Sequence, residues 1–105
     1  MEEQVVEKWR KKTVKKFMDI PILAELENKP MGGTDTIAFI HDKFGVLVSA
    51  GTVYSLFHSL ERDKMIKARV EKRKKIYTLT EEGEKTIKAI RKANNEIQST
   101  LKDLL

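Results

Sequence analysis

The apolar residues of this chain change period twice within a short span. In "SAGTVYSLFHSLERDK", Val53, Leu56, Phe57 and Leu60 fall at i, i+3, i+4 and i+7, the buried stripe of an amphipathic helix. From Met65 the spacing drops to two. Ile66, Ala68 and Val70 alternate with charged residues, and after a basic turn Ile76 and Tyr77-Thr78-Leu79 resume the pattern. Helical spacing returns after Thr80. The chain therefore has to place a β-hairpin, its tip at Glu71–Lys75, directly between two helices.

Upstream the reading is helical throughout. Val5, Val6, Trp9, Val14 and Phe17 recur among lysines from Glu2 to about Met18. A second helical piece follows in "DIPILAELEN", with Asp19 as cap and Pro21 in its first turn, ending at Glu27 or Asn28. Pro30 and the Gly32-Gly33 pair break the chain. Thr34 or Gly33 then caps a third helix with Ile37, Phe39, Ile40 and Phe44 inward, and Gly45 ends it. "VLV" is a short connector to the quoted helix, for which Ser49 is the natural N-cap. Helix, helix, helix, hairpin, helix is the order of a winged helix-turn-helix, so the expected fold is mainly α with a small β-hairpin wing. Residues 1–80 form its DNA-binding unit, and residues 81–105 form a C-terminal dimerisation helix running to Leu105. Thr80 and Glu81-Glu82 suit the start of that helix, although Gly83 rules out a capping box.

Charge narrows the partner. Of 105 residues 35% are charged, with a formal net charge of +5, a balance that favours an anionic partner. The absence of cysteine excludes disulfides, a thiolate nucleophile and a cysteine-based zinc site. The two histidines, His41 and His58, have no companion ligands at metal-binding spacing, and no Gly-rich phosphate loop is present, so neither an enzyme nor a cofactor is expected. "MGGTDT" reads as a turn. The opening "MEEQVVEKWRKK" lacks the apolar core of a signal peptide, and no run reaches the roughly 20 apolar residues of a membrane span, so the expectation is a cytoplasmic, nucleoid-associated protein.

The quoted helix has a small, hydroxyl-rich front end. A recognition helix meets the major groove with its N-terminal residues, which must be short and polar there. Ser49, Gly51, Thr52, Tyr54, Ser55 and His58 are the expected DNA-facing residues, with Gly51 allowing close approach of a phosphate. Lys72, Arg73, Lys74 and Lys75 at the wing tip complete that set by reaching phosphates or the minor groove. The N-terminal "KWRKKTVKK" reads first as a solvated helix face, with contact to flanking DNA as the alternative. In the last helix Ile87, Ile90, Asn94, Ile97, Leu101 and Leu104 are spaced three and four apart, as on a heptad seam. Val6, Trp9 and Phe17 of the first helix are the expected cover for that seam, from the same chain or a second copy; both helices read as a homodimer interface, with a purely intramolecular helical pair as the alternative.

The same residues carry a resemblance. "SAGTVYSLFHSLERDKMI" followed by "KKIYTLTEEGE" resembles the PadR family of winged-helix transcriptional regulators over roughly residues 17 to 90. The matching positions are Ser49, Gly51, Thr52, Val53, Tyr54, Leu60 and Glu61, then Tyr77, Leu79, Thr80 and Gly83. The resemblance implies a homodimeric transcription factor on double-stranded DNA, usually a repressor and often released by a small aromatic effector. Two rival readings are a sequence-indifferent architectural DNA binder and a winged-helix protein–protein interaction module.

Overall fold

A computed structural model describes residues 1–105. It contains α1 (Glu2–Phe17), α2 (Asp19–Leu26), α3 (Gly33–Phe44), α4 (Ala50–Arg62), β1 (Ile66–Glu71), β2 (Lys74–Leu79), α5 (Glu81–Lys92) and α6 (Asn94–Asp103). The order is the expected one except at the C-terminus. There the single helix expected from the spacing is two, parted at Ala93, where φ is −90° and ψ is 9°. Asn94 and Asn95 follow the break, and Asn side chains compete for backbone hydrogen bonds and weaken helix continuity.

Helix starts depart from expectation twice. Met18, not Asp19, is the N-cap of α2; the Met18 carbonyl accepts from Ile22 N–H at 3.2 Å, and Asp19 is already helical. For α3 the cap is Gly32, one residue ahead of the predicted Gly33 or Thr34. The reason is Asp35, whose carboxylate accepts the Gly32 N–H at 2.9 Å and satisfies an otherwise orphan donor. Ser49 and Thr80 cap α4 and α5 as expected, their hydroxyls accepting from Thr52 N–H and Gly83 N–H, each at 3.1 Å.

One core joins these elements. Ile22, Leu23 and Leu26 of α2, Ile40 of α3, Val46 and Val48 of the connector, Val53, Phe57 and Leu60 of α4, Ile66, Tyr77 and Ile87 are all buried within it. Leu56, Ile37, Phe39 and Phe44, expected inside, are only partly covered. Burying a side chain such as Phe57 contributes about 1.5–3 kcal/mol. The wing is tied to this core through β2. The Tyr77 ring stacks on Phe57 at 4.1 Å between centroids, and burial pushes its phenol pKa up, with smaller contributions from Glu61 and Tyr54. Its backbone exchanges two hydrogen bonds with Met31, at 2.9 and 3.1 Å, so the α2–α3 loop adds a one-residue third strand beside β2.

The junction between α4 and the wing is closed by Lys64 at φ 63°, a left-handed residue ending the helix. Met65 N–H reaches back to the Leu60 carbonyl at 2.9 Å. Thr80 then clasps this junction from α5: its hydroxyl donates to the Lys64 carbonyl at 2.6 Å and its N–H to the Met65 carbonyl at 3.0 Å. Gly83 faces the same spot, where an added Cβ would lie 2.1 Å from the Met65 carbonyl oxygen. Gly83→Ala should therefore destabilise the fold by about 2 kcal/mol or more, as overpacked sites do. A urea titration of the variant against the wild type checks this.

Candidate nucleic-acid interface

The recognition-type helix α4 buries Val53, Phe57 and Leu60 and turns Gly51, Thr52, Tyr54, Ser55 and His58 to solvent. Ser49, immediately before it, is also exposed. Its hydroxyl is engaged with its own helix, because besides capping Thr52 N–H it lies 2.9 Å from the Thr52 hydroxyl. These two hydroxyls order the first turn.

Gly51 is the residue in this turn that the protein's own packing does not require. A Cβ there would meet nothing closer than the Ser49 hydroxyl at 3.9 Å, ordinary contact, and its φ is not in the left-handed region. Gly33 is different. A Cβ on Gly33 would fall 2.7 Å from the Tyr54 hydroxyl, so the start of α3 is bare in order to admit the Tyr54 ring. Tyr54 thus packs across the first turn of α3 and edge-on against Phe57, with 6.5 Å between centroids and 70° between planes, and remains 45% exposed.

The wing tip is tighter than the sequence pattern suggests. Glu71 and Lys74 are the last paired residues, so the loop is Lys72-Arg73 alone rather than Glu71–Lys75. Both residues have positive φ, 49° and 68°, the left-handed pair that a two-residue mirror-image turn demands. Asn-Gly is the usual solution to that geometry; here two long cations hold it. Glu71 is taken by Arg69 at 2.9 Å, and no carboxylate lies within ion-pair distance of Lys72, Arg73, Lys74 or Lys75.

Arg73, Lys74, Lys75 and Ile76 line a shallow groove with Tyr54 and with Gly32–Asp35 at the start of α3. The fold therefore gathers three of the predicted wing cations and Tyr54 around one cleft. Ser49, Gly51, Thr52, Ser55 and His58 lie along the outer face of α4, and Lys72 stands at the tip beyond it. Thr34 belongs to the cleft although the sequence pattern does not single it out; its signal there is the pair of glycines before a helix start, which by itself reads only as a turn. No cluster of acidic, His or Cys side chains is arranged to hold a metal ion.

A helix pair α3–α4 with a hairpin packed directly behind it, the hairpin's basic tip beside the exposed face of α4, defines a winged-helix protein. The chain belongs to the PadR-like family of transcriptional regulators: the profile of the "Transcriptional regulator PadR-like family" matches residues 22–89. That family comprises regulators, not enzymes. Among solved structures, a transcriptional regulator from Clostridium thermocellum is similar over 90% of this chain and 95% of its own, with a TM-score of 0.73 and 22% identity. A PadR-like transcriptional regulator from Bacillus cereus gives a TM-score of 0.75 at 17% identity, covering 89% of this chain and 95% of its own. Bacillus subtilis PadR in complex with operator DNA is similar over 69% of this chain and 45% of its own, with a TM-score of 0.61 and 22% identity. At these identities the likenesses speak for the fold. No curated protein matches the chain in sequence.

Replacing the tip by Lys72→Asn with Arg73→Gly should raise stability by about 1–2 kcal/mol, because it removes left-handed strain from long side chains. A shift of the melting temperature upward checks it.

Proposed function

We propose that this chain is a sequence-specific regulator of transcription that binds double-stranded DNA as a homodimer, acts as a repressor and works among nucleoid DNA. The first turn of α4 enters the major groove, where Thr52, Ser55 and His58 meet base edges and Ser49 and Tyr54 meet phosphates or the groove rim. Lys72, Arg73, Lys74 and Lys75 lie on the backbone or in the minor groove.

Gly51 is the observation that carries this reading. A glycine in the first turn of an exposed helix lowers helix stability, and nothing inside the chain asks for it. A duplex backbone approaching that turn does. The unpaired cations of the wing supply the long-range attraction, and their strained tip is a second place where local stability has been traded for a surface feature.

The dimer rests on two exposed apolar surfaces. Val6, Trp9 and Phe17 of α1 are 60%, 57% and 39% exposed, and Leu101 and Leu104 of α6 are 38% and 75% exposed. Ile87 is buried in the chain's own core beside α2 and Ile90 is partly covered there, so the free part of the seam starts at Asn94 and runs through Ile97, Leu101 and Leu104. Two copies joined through these helices would set their recognition helices about 34 Å apart, one turn of DNA.

Gly51→Ala separates function from stability. It should leave the fold as stable or raise its stability by up to about 1 kcal/mol, while weakening binding to DNA. Denaturant melts and fluorescence anisotropy on the same preparations check the two halves; a variant that keeps full affinity would remove Gly51 from the interface.

A second test asks about sequence. Thr52→Ala and Ser55→Ala should lower affinity for a duplex from upstream of the protein's own coding sequence more than for a scrambled duplex. The specific loss should be about 1–3 kcal/mol for a base-reading contact. Equal losses on both duplexes would point to an architectural binder, and no binding to either at low salt would point to a protein-interaction module.

A further inference from the structure

The exposed large apolar residues of this protein fall into two groups. One belongs to the two ends of the chain, Val6, Trp9 and Phe17 on α1 and Leu101 and Leu104 at the end of α6 among them. Between Phe17 and Leu101 the chain exposes only three more: Leu47, Tyr54 and Val70. All three lie on elements that the proposed complex lays on DNA, namely the connector into α4, α4 itself and strand β1 of the wing. Tyr54 is accounted for by its seat against the start of α3. Val70 pairs across the hairpin with Lys75, where a β-branched residue suits a strand in any case. Leu47 has neither reason.

Leu47 is the middle residue of the Val46–Val48 connector. It is 75% exposed, whereas the valines on either side are buried. Exposure alternates residue by residue from Val46 to Ser49, the pattern of an extended segment, so Leu47 leaves the chain on the same side as Ser49. The Arg10 guanidinium of α1 comes within 3.7 Å of where a Cβ on Gly45 would lie, yet α1 leaves Leu47 uncovered. Ser49 is fixed to the front of α4 by accepting the Thr52 N–H. At about 3.3 Å per extended residue, Leu47 stands roughly 7 Å from Ser49, about two base-pair steps. A duplex close enough to use the bare turn at Gly51 brings its groove within reach of this leucine. Left in water, the side chain gains little from the fold.

The chemistry of the groove narrows the contact. Leucine carries no hydrogen-bonding group on its side chain, so it cannot read the donors and acceptors of a base edge. The one apolar feature that a base pair shows in the major groove is the C5-methyl group of thymine. We infer that Leu47 is a specificity residue that reads a thymine methyl at the edge of the site met by the first turn of α4. The inference rests on the DNA-binding reading above and adds a position that lies on neither α4 nor the wing. It divides readout between the hydroxyls of Thr52 and Ser55, which meet polar groups, and one leucine, which recognises a methyl.

The test uses the full-length protein and a duplex that it enriches from a random-sequence pool, made once with thymine and once with uracil at every thymine position. The exchange removes the methyl groups and leaves every hydrogen-bonding group of the base edges in place. In fluorescence anisotropy the wild type should bind the thymine duplex about fourfold more tightly for each methyl that Leu47 covers, the equivalent of one buried carbon. Leu47→Ala should cut that preference by the same factor, and Leu47→Met should keep it. A preference that comes from Thr52 or from the shape of the duplex survives in Leu47→Ala, so only the part lost on substitution belongs to the leucine. Thermal melts should show both variants as stable as the wild type, since the residue is exposed. If the wild type binds both duplexes equally, or Leu47→Ala keeps the wild-type preference, the inference is overturned and the DNA-binding reading stands. If the pool yields no enriched sequence, the sequence-specific reading falls and the inference with it. If Leu47→Ala turns a wild-type dimer into a monomer in sedimentation, the leucine belongs to the contact between copies and the inference is overturned.

Discussion

Tyr77 holds the structure's functional geometry in place. Its ring stacks on Phe57 of α4, while its backbone N–H and carbonyl both pair with Met31 of the α2–α3 loop. One residue of β2 therefore couples the wing to the recognition-type helix through a side chain and to the preceding loop through its main chain. The orientation of the basic tip relative to α4 follows from that coupling, because the two-stranded hairpin has no other sheet to lean on. Thr80 and Gly83 secure the opposite end of β2, where α5 clasps the Lys64-Met65 junction. The Tyr-x-Leu-Thr-x-x-Gly run is thus explained as architecture: a stack, an apolar contact, a cap and a close approach.

Much of this is legible in the sequence because the periodicities are strong. The α4 stripe, the alternation of the hairpin and the Ser49 and Thr80 caps each express a local rule that nothing distant overrides. What is not legible depends on contacts distant in sequence or on local energies of similar size. Met31 pairs with Tyr77 across the chain, and no spacing in "NKPMGG" announces a one-residue strand. Gly32 rather than Gly33 caps α3 because Asp35 reaches its N–H, a choice between neighbours only about 1 kcal/mol apart. The apolar spacing of the last helix continues straight through Ala93, so the heptad pattern hides the break beside the asparagines. Ile87 has the spacing of the first residue of a free seam, yet α2 covers it, since periodicity identifies a face without saying what lies against it.

The candidate site is read in the sequence by residue type, from the small, hydroxyl-rich start of α4 and the basic run of the wing. Three of its positions also break local rules in the structure. Gly51 sits in a helix turn that has room for a Cβ, and Lys72 and Arg73 occupy left-handed positions better suited to Asn and Gly. Under the proposed reading such departures answer to a duplex rather than to the fold. Gly33 and Gly83 show the contrast. They are bare because Tyr54 and the Met65 carbonyl occupy the space, and their lack of a side chain belongs to the interior.

The distribution of charge completes the picture. Between Lys67 and Lys75 six cations face a single carboxylate, Glu71, which Arg69 already holds. On α1 six more stand against Glu2, Glu3 and Glu7, so the remainder of the chain is net acidic. A modest overall charge of +5 thus conceals two basic segments, the wing and α1, in a chain whose remainder is net acidic. Such a division favours one docking orientation over many. A uniform coat of the same net charge would attract DNA without orienting it, whereas in the proposed complex the basic wing beside Tyr54 would set how α4 meets the groove. Orientation is what base readout requires first, because short side chains such as those of Thr52 and Ser55 discriminate only when the backbone contacts have already set their register.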